Sequence, residues 1–418
     1  MDGSWHSAVT TPVAPPPGDL VSIVRMPTVL VTDPEQRAAL AAVRSCGRRG
    51  WRVVTLGASK GLAGVSRWAA AARVVEAGAL ATAANYREAV SAVVRAHQAD
   101  VVIPVTDTAS RALLGHDAQL GARVAGPGPD AYERASDKAG LLAVAAASGV
   151  RVPRQLLLTS PADASQLASW AAPAAVVKPS RSVVEIHGTS HTTGVRFVDD
   201  RAQLAATVAA YPAEAYPLMV QERTFGMGVG VFLLRAAGET RLRFGHRRLR
   251  EKPPAGGVST CREAIVPPPA LLAQCERLLD ALGYEGAAMI EFKEDRATGE
   301  FVLMEINARL WGSVQLAVDA GVDFPAALVD LTLGHPIPTP PAVRQSVRTW
   351  WELGELDHAL AIWRRTREQL HAPPELQVGA GAALRALADR RWADHPEVFR
   401  WSDPMPFAAE LVRWLRRA

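Results

Sequence analysis

The chain has 418 residues, 49% of them hydrophobic and 21% charged, which suffices for about two to four packed units and excludes general disorder. Forty-six Lys and Arg against 42 Asp and Glu leave a net charge of +4, too small an excess to demand a nucleic acid or an anionic membrane. No apolar run approaches the roughly 20 residues that cross a bilayer, and the longest candidate, Ala139 to Val150, is interrupted by glycine.

Residues Met1 to Gly18 carry Pro, Ser and Thr but no basic start followed by an apolar core, so 1–26 reads as a disordered arm and a cytoplasmic location is expected. Cys46, Cys261 and Cys275 are odd in number and lack CxxC spacing, which predicts reduced thiols and neither a disulfide framework nor a zinc ribbon.

Val29 to Thr32 is β-branched and is followed by Asp33, Pro34 and Glu35, in order an N-cap, a first-turn proline and a first-turn acid for a helix ending near Arg48. A second strand is expected at Val53 to Leu56, a helix over Asn85 to Ala96 and a strand over Val101 to Val105. This alternation predicts a parallel sheet covered on both faces, a Rossmann-like domain over 27–127. Its first strand-to-helix turn lacks the glycines that admit a pyrophosphate, so no dinucleotide site is expected there.

Next, Ser136 is placed to cap a helix over Asp137 to Ser148, ahead of strands at Gln155 to Leu158 and Ala174 to Val177. From Leu218 to Leu310 the pattern is strand-rich, with runs at Val229 to Leu234, Met289 to Lys293 and Phe301 to Ile306. Beyond Pro340 lie more than half of the Trp residues, with helical periodicity through Trp351 to Gln369 and Phe407 to Leu415. The expected class is therefore α/β followed by α+β, with a helical C-terminal region over 341–418.

Chemistry concentrates in Ala288-Met289-Ile290-Glu291-Phe292 and Glu305-Ile306-Asn307-Ala308-Arg309, two predicted strands of one hairpin. The period of two puts Glu305, Asn307 and Arg309 on one face, with Glu291 across the hairpin. Three hard oxygen donors suit magnesium carrying nucleotide phosphates, and Arg309 sits where it meets an anion. The plainer reading is a solvated face with a cross-strand charge pair. Acids set among Met, Ile, Phe and Leu weaken it, because an unpartnered buried charge is costly.

Glu291 with Glu305-Ile306-Asn307-Ala308-Arg309 resembles the paired-acid, Glu-x-Asn-x-Arg signature of the ATP-grasp superfamily. The resemblance extends over 27–336 and implies an N-terminal Rossmann-like pre-ATP-grasp domain, then an ATP-grasp domain over 128–340 in two subdomains. It makes Lys138 and Lys178 the phosphate-contacting lysines and Gln221, Glu222 and Arg223 the hinge beside adenine. ATP and Mg2+ are the implied cofactors, with Glu291, Glu305 and Asn307 as metal ligands. The Ser, Thr, Gly and His content of Ser180 to Gly194 suits a lid over phosphates, although an ordinary surface hairpin has the same composition. We assign no zinc to His187 and His191, four apart in that loop. Many relatives carry a ribose-binding acid shortly after the hinge, whereas this chain has Gly226-Met227-Gly228, leaving that contact unassigned.

The cations Arg241, Arg243, Arg247, Arg248, Arg250 and Lys252 are interleaved by one aromatic, Phe244, which fits an anion pocket better than a nucleic-acid surface. Strict alternation puts Arg248 and Arg250 on one side of a strand, where guanidinium groups suit a carboxylate or acyl phosphate. The following Gly256-Gly257 turn and Ser259 complete a candidate substrate pocket near the acceptor, although half of this cluster also reads as a solvated strand face. Cys261 reads as an idle thiol.

The reaction implied is amide formation by a carboxylate-amine ligase, through an acyl phosphate, with Arg309 and Arg250 offsetting charge at the reacting centre. Its partners are a small carboxylic acid and an amine, amino acids among them, with no nucleic acid, no membrane and a homodimer as the candidate assembly. Two alternatives stay open: the same fold activating bicarbonate, as in carboxylases or carbamoyl phosphate enzymes, and a nucleotide-binding sensor without turnover.

Overall fold

The computed structural model describes residues 25–416 apart from 173, 182, 187, 188, 193, 392 and 393. All but the last two residues of the expected arm lie outside this set, as do His187 and the side chain of His191. Among the described residues, no helix is long and apolar enough to cross a membrane.

The N-terminal unit alternates β1 (Thr28–Thr32), α1 (Arg37–Arg48), β2 (Arg52–Gly57), β3 (Ala71–Val74), α2 (Ala83–His97), β4 (Val101–Ile103), α3 (Asp107–Leu113), α4 (Asp117–Leu120) and β5 (Arg123–Val124). Its strands form one parallel sheet in the order β3-β2-β1-β4-β5, as continuous β-branched runs buried on both faces require. The helix after β1 starts three residues later than the sequence predicts. Asp33 is left-handed, with φ of 53°, and its carboxylate accepts hydroxyls of Thr32, Tyr86 and Thr106 at 2.6, 3.0 and 3.1 Å. It is thereby committed to the crevice between β1 and β4, and Gln36 takes the N-cap position instead.

Two further helices, α5 (Pro129–Ser136) and α6 (Lys138–Ala147), lead into a four-stranded sheet. Asp137, rather than Ser136, caps α6 by accepting from the Ala139 amide. The sheet comprises β6 (Gln155–Leu158), β7 (Ala175–Pro179), β10 (Arg196–Val198) and β11 (Leu218–Glu222), ordered β10-β7-β11-β6, with α7 (Arg201–Ala209) against it. Between β7 and β10 runs the expected lid segment, an antiparallel hairpin of β8 (Val183–Ile186) and β9 (Thr189–Thr192).

The third unit is a seven-stranded sheet built on β12 (Gly226–Ala236), β13 (Glu239–Lys252), β14 (Val258–Ile265), β15 (Gly286–Asp295) and β16 (Phe301–Asn307). With β17 (Arg348–Trp350) and β18 (His395–Pro396) it is ordered β16-β15-β12-β13-β14-β17-β18. One face carries α8 (Pro269–Ala281); the other packs through Phe232, stacked on Trp311 at 4.5 Å, toward α1, α9 (Val314–Asp319) and α10 (Phe324–Leu333). The C-terminal stretch contains α11 (Glu352–Arg364), α12 (Ala380–Ala388) and α13 (Met405–Leu415), as its periodicity suggests, and also supplies the last two strands on one side of the sheet, β17 and the edge strand β18.

Candidate nucleotide and carboxylate site

A cavity of about 500 Å³ opens between the four-stranded and seven-stranded sheets and reaches the first turn of α1. The β15–β16 register sets Glu291 opposite Glu305 and Met289 opposite Asn307, so both acids and the amide line this cavity from one hairpin. Beside Glu305, Lys138 approaches at 3.3 Å from the start of α6. Its backbone amide donates to the Ser180 carbonyl at 2.9 Å, which ties this lysine to the end of β7.

Lys178, from β7 itself, is 8% exposed. Among the described residues, no carboxylate lies within ion-pair distance of it. Burial depresses its pKa to about 8, with Lys138 adding to the effect and Glu305 and Glu291 opposing it. A buried ammonium without a close counter-charge is an electrostatic vacancy for an anion.

The two acids differ in surroundings. Burial raises Glu291, with Glu305 and Glu251 adding to the rise, although Arg248 pulls the other way. Glu305 is half-buried, its side chain 32% exposed, and although desolvation works against it Lys138 and Lys178 hold its carboxyl below the usual range. Among the described residues, no three or more His, Cys, Asp or Glu side chains gather as a metal cluster. Two carboxylates and an amide form an incomplete oxygen set, which phosphate oxygens and water complete for magnesium; by donor chemistry the residues fit that ion.

Arg309 reaches back to the N-terminal unit, donating from Nε and Nη2 to Asp107 at 3.0 and 2.9 Å. Asp107 stands in the first turn of α3, at the carboxyl end of β4, where open parallel sheets place ligand contacts. Burial alone would raise its pKa, but Arg309 holds it below the usual carboxylate range.

On β13, Arg248 donates to Glu291, to Glu251 at 3.0 Å and to the Gly257 carbonyl at 3.0 Å. Gly256, Gly257 and Ser259 line the same cavity. A Cβ at Gly257 would fall 2.4 Å from the Lys252 carbonyl oxygen, so this turn excludes any other residue. Arg250 departs from expectation. Register shifts on either side of it break the alternation, and its guanidinium pairs with Glu355 and Asp389 at 2.8 and 2.7 Å. It does not line the cavity that holds Glu291 and Glu305; its surroundings are those of a tie to α11.

Gln221, Glu222 and Arg223, the residues expected at the hinge, also line the cavity. The Arg223 guanidinium lies 4.8 Å from the ring centres of both Phe197 and Phe225 and donates to Asp199 at 3.1 Å and to the His371 carbonyl. Residues that sequence reasoning did not single out are Asp107, Glu251, Lys293 and Arg37. A Thr-Asp helix start after a strand signals Asp107; the other three carry no comparable local signal.

The three sheets and this hairpin make up an ATP-grasp fold. Residues 215–354 match the family model described as ATP-grasp in the biosynthetic pathway with Ter operon, and the chain has the ATP-grasp fold that the sequence resemblance implies. Similar solved structures include the biotin carboxylase complex with β,γ-ATP from Campylobacter jejuni, at TM-score 0.63 and 17% identity over 78% of this chain and 74% of that one. An L-amino acid ligase from Bacillus licheniformis aligns at TM-score 0.59 and 16% identity, over 78% and 79% of the two chains. A third is the biotin carboxylase domain of 2-oxoglutarate carboxylase from Hydrogenobacter thermophilus, with MgADP and bicarbonate, at TM-score 0.61 and 16% identity over 77% and 73%. No curated protein sequence matches the chain.

Proposed function

We propose that the chain is an ATP-dependent carboxylate-amine ligase working through an acyl phosphate. The observation that carries this reading is the opposition of Glu291 and Glu305, with Asn307, inside one cavity that also receives Lys178, Arg248 and Arg309. Adenine would lie against Gln221, Glu222 and Arg223, and the phosphates against Lys138 and Lys178. Glu291, Glu305 and Asn307 would hold magnesium, which when bound supplies charge neutralisation at the phosphates.

A carboxylate oxygen of the acid attacks the γ-phosphorus while the bond to the β-phosphate oxygen breaks, giving acyl phosphate and ADP. Arg309, fixed by Asp107, and Arg248 offset negative charge as it moves onto the transferring group. The amine nitrogen then attacks the acyl carbon, phosphate leaves with the bonding pair, and the amine proton passes to phosphate or solvent. Gly256, Gly257 and Ser259 would border the acyl acceptor, and the lid hairpin would exclude water. Arg250 has no direct part in this chemistry.

The test is ADP release across a panel of carboxylic acids with hydroxylamine present to trap acyl phosphate as hydroxamate. An organic acid that yields hydroxamate supports the ligase. Release stimulated by bicarbonate alone would replace it with a bicarbonate-activating enzyme, and tight ATP binding without release under any acid would replace it with a sensor. The L-amino acid ligase among the similar folds makes amino acids the first acids and amines to include.

A further inference from the structure

The loop between α11 and α12 reaches across to the four-stranded sheet. Its His371 is left-handed, with φ of 47°, and meets the turn after β10 with both carbonyl and ring. The carbonyl accepts from the buried Arg223 guanidinium, and Nδ1 donates to Asp199 at 2.5 Å. Asp199 also accepts from Arg223, at 3.1 Å, so loop, sheet and expected hinge share one polar knot. The His371 ring lies 6.0 Å from that of Phe197 on β10. Side chains seldom adopt this backbone region, and the surrounding contacts must offset its cost. Among the described residues, every hydrogen bond and ion pair from the loop to the four-stranded unit or the hinge ends on Asp199 or Arg223.

The loop is stiff and belongs to the seven-stranded unit. Arg367 donates to the carbonyls of Pro373 and Pro374 at 2.9 and 3.3 Å and to that of Leu376. Leu370 is buried with Ala359 and Ile362 of α11 and with Ala382 and Ala383 of α12, and α11 rests on β13 and β14. Glu375 pairs with Arg296, just after β15, at 3.1 Å. Phe197 itself lines the cavity that holds Glu291 and Glu305, and a Cβ at Gly256 would stand 3.6 Å from its Cζ. The four-stranded sheet is therefore held at β10 by two parts of the other unit, the C-terminal loop and the Gly256 turn. Pro373 and Leu376 wall a second cavity of about 550 Å³ that shares Arg223 and Thr224 with the first, which places the loop at the border of the cleft.

We propose that this loop is a clasp on the nucleotide cleft: His371 is a positioning residue that fixes Asp199 and Arg223, holds the four-stranded sheet over the cavity, and lets go before nucleotide leaves. The clasp rests on the nucleotide-binding half of the reading above and needs neither the acid nor the amine. Among the described residues, none beyond Ser313 lines the cavity of Glu291 and Glu305, so the C-terminal region acts on it through Asp199, Arg223 and Phe197. A contact made only while two rigid layers are closed raises the barrier to their opening, and such opening sets the rate of product release.

Release of a fluorescent ADP analogue, chased with excess ATP in stopped flow, reads the clasp. His371→Gly suits the left-handed backbone and removes the ring while keeping the carbonyl contact to Arg223. Release should accelerate about 3- to 10-fold, as loss of one hydrogen bond gives. His371→Asn also accepts this backbone and keeps a donor toward Asp199, so it should restore part of the slow rate. Spin labels on Ala206→Cys in α7 and Arg277→Cys in α8, both exposed positions, report the spacing of the two sheets without nucleotide; the native cysteines are buried. Their distance distribution should broaden in His371→Gly. Where a His371 variant does not fold, Asp199→Asn takes its place, since it keeps the shape of the knot and removes its charge. Unchanged release, or faster release without broadening, would overturn the clasp; the latter would confine His371 to an effect on Arg223. If the unaltered protein binds no nucleotide, the labels still decide. Broadening then sustains the clasp as the nucleotide reading falls, and an unchanged distribution refutes it.

Discussion

Asp107 and Arg309 meet across the boundary between the N-terminal unit and the seven-stranded sheet, with both carboxylate oxygens engaged by one guanidinium at 3.0 and 2.9 Å. A side-on pairing of this kind fixes the plane of the guanidinium, not merely its charge. Asp107→Asn should therefore leave Arg309 charged but poorly aimed, lowering kcat about 10- to 100-fold, as loss of an ionic hydrogen bond implies, with KM for ATP nearly unchanged. Steady-state ADP release reads both constants. Equal losses in kcat and ATP affinity would show that the pair holds the whole nucleotide cleft instead.

Glu291 and Glu305 face each other, yet their removal should have different consequences. Arg248 retains Glu251 when Glu291 is lost, whereas Glu305 pairs with Lys138 and is the carboxylate that most opposes the effect of burial on Lys178. Glu305→Gln should lower the stability of the free protein by about 1–3 kcal/mol, the scale for a charged hydrogen bond in a pair that is only partly buried, and Glu291→Gln by less. Both should weaken the Mg2+ dependence of ADP release, by about tenfold or more on loss of a charged ligand. Urea unfolding and a Mg2+ titration of each variant provide the comparison.

Much of the candidate site was legible because it is local. Glu291, Glu305 and Asn307 fall on two adjacent strands whose period of two decides their faces, and Lys138 opens a helix while Lys178 closes a strand. Arg250 was misplaced because alternation assumes a regular strand, and the register shifts beside it depend on pairing with β14. Asp33 had every local mark of an N-cap, but hydroxyls from Tyr86 and Thr106, brought by packing, captured its carboxylate. Arg37 and Asp107 draw their meaning from Glu397 and Arg309, 360 and 202 residues away; no window of sequence contains both partners.

Lys178 predicts opposite pH trends for stability and for nucleotide binding. Its folded pKa of about 8 lies below the ordinary 10.5, so between those values the unfolded chain holds the extra proton and this group makes the free protein more stable as pH rises. Below pH 8 the buried charge costs on the order of 3 kcal/mol. Lys178→Met should remove that cost and flatten the stability profile between pH 8 and 10.5. Binding of ATP requires the charged form, so affinity should fall above pH 8, approaching about tenfold per pH unit, and should be weak at all pH in Lys178→Met. Thermal unfolding with and without nucleotide tests both trends, and parallel trends would refute the assignment of Lys178 to the phosphates.

Gly228 lies on β12 beside the side chains that hold Glu291 in place. A Cβ there would come within 2.7 Å of Arg248 Cδ and 3.3 Å of Glu251 Oε1. Arg248 cannot easily yield, because its guanidinium is fixed at three points, by Glu291, Glu251 and the Gly257 carbonyl. Gly228→Ala should accordingly cost about 1–3 kcal/mol, the range for overpacking. Arg248 would also be displaced from Glu291, so that ADP release falls even where the protein remains folded. A Glu251→Gln background tests the steric account: it softens one anchor of Arg248, and the two changes together should cost less than their sum. Strict additivity would place the effect of Gly228 in the backbone of β12 and not in the packing of Arg248.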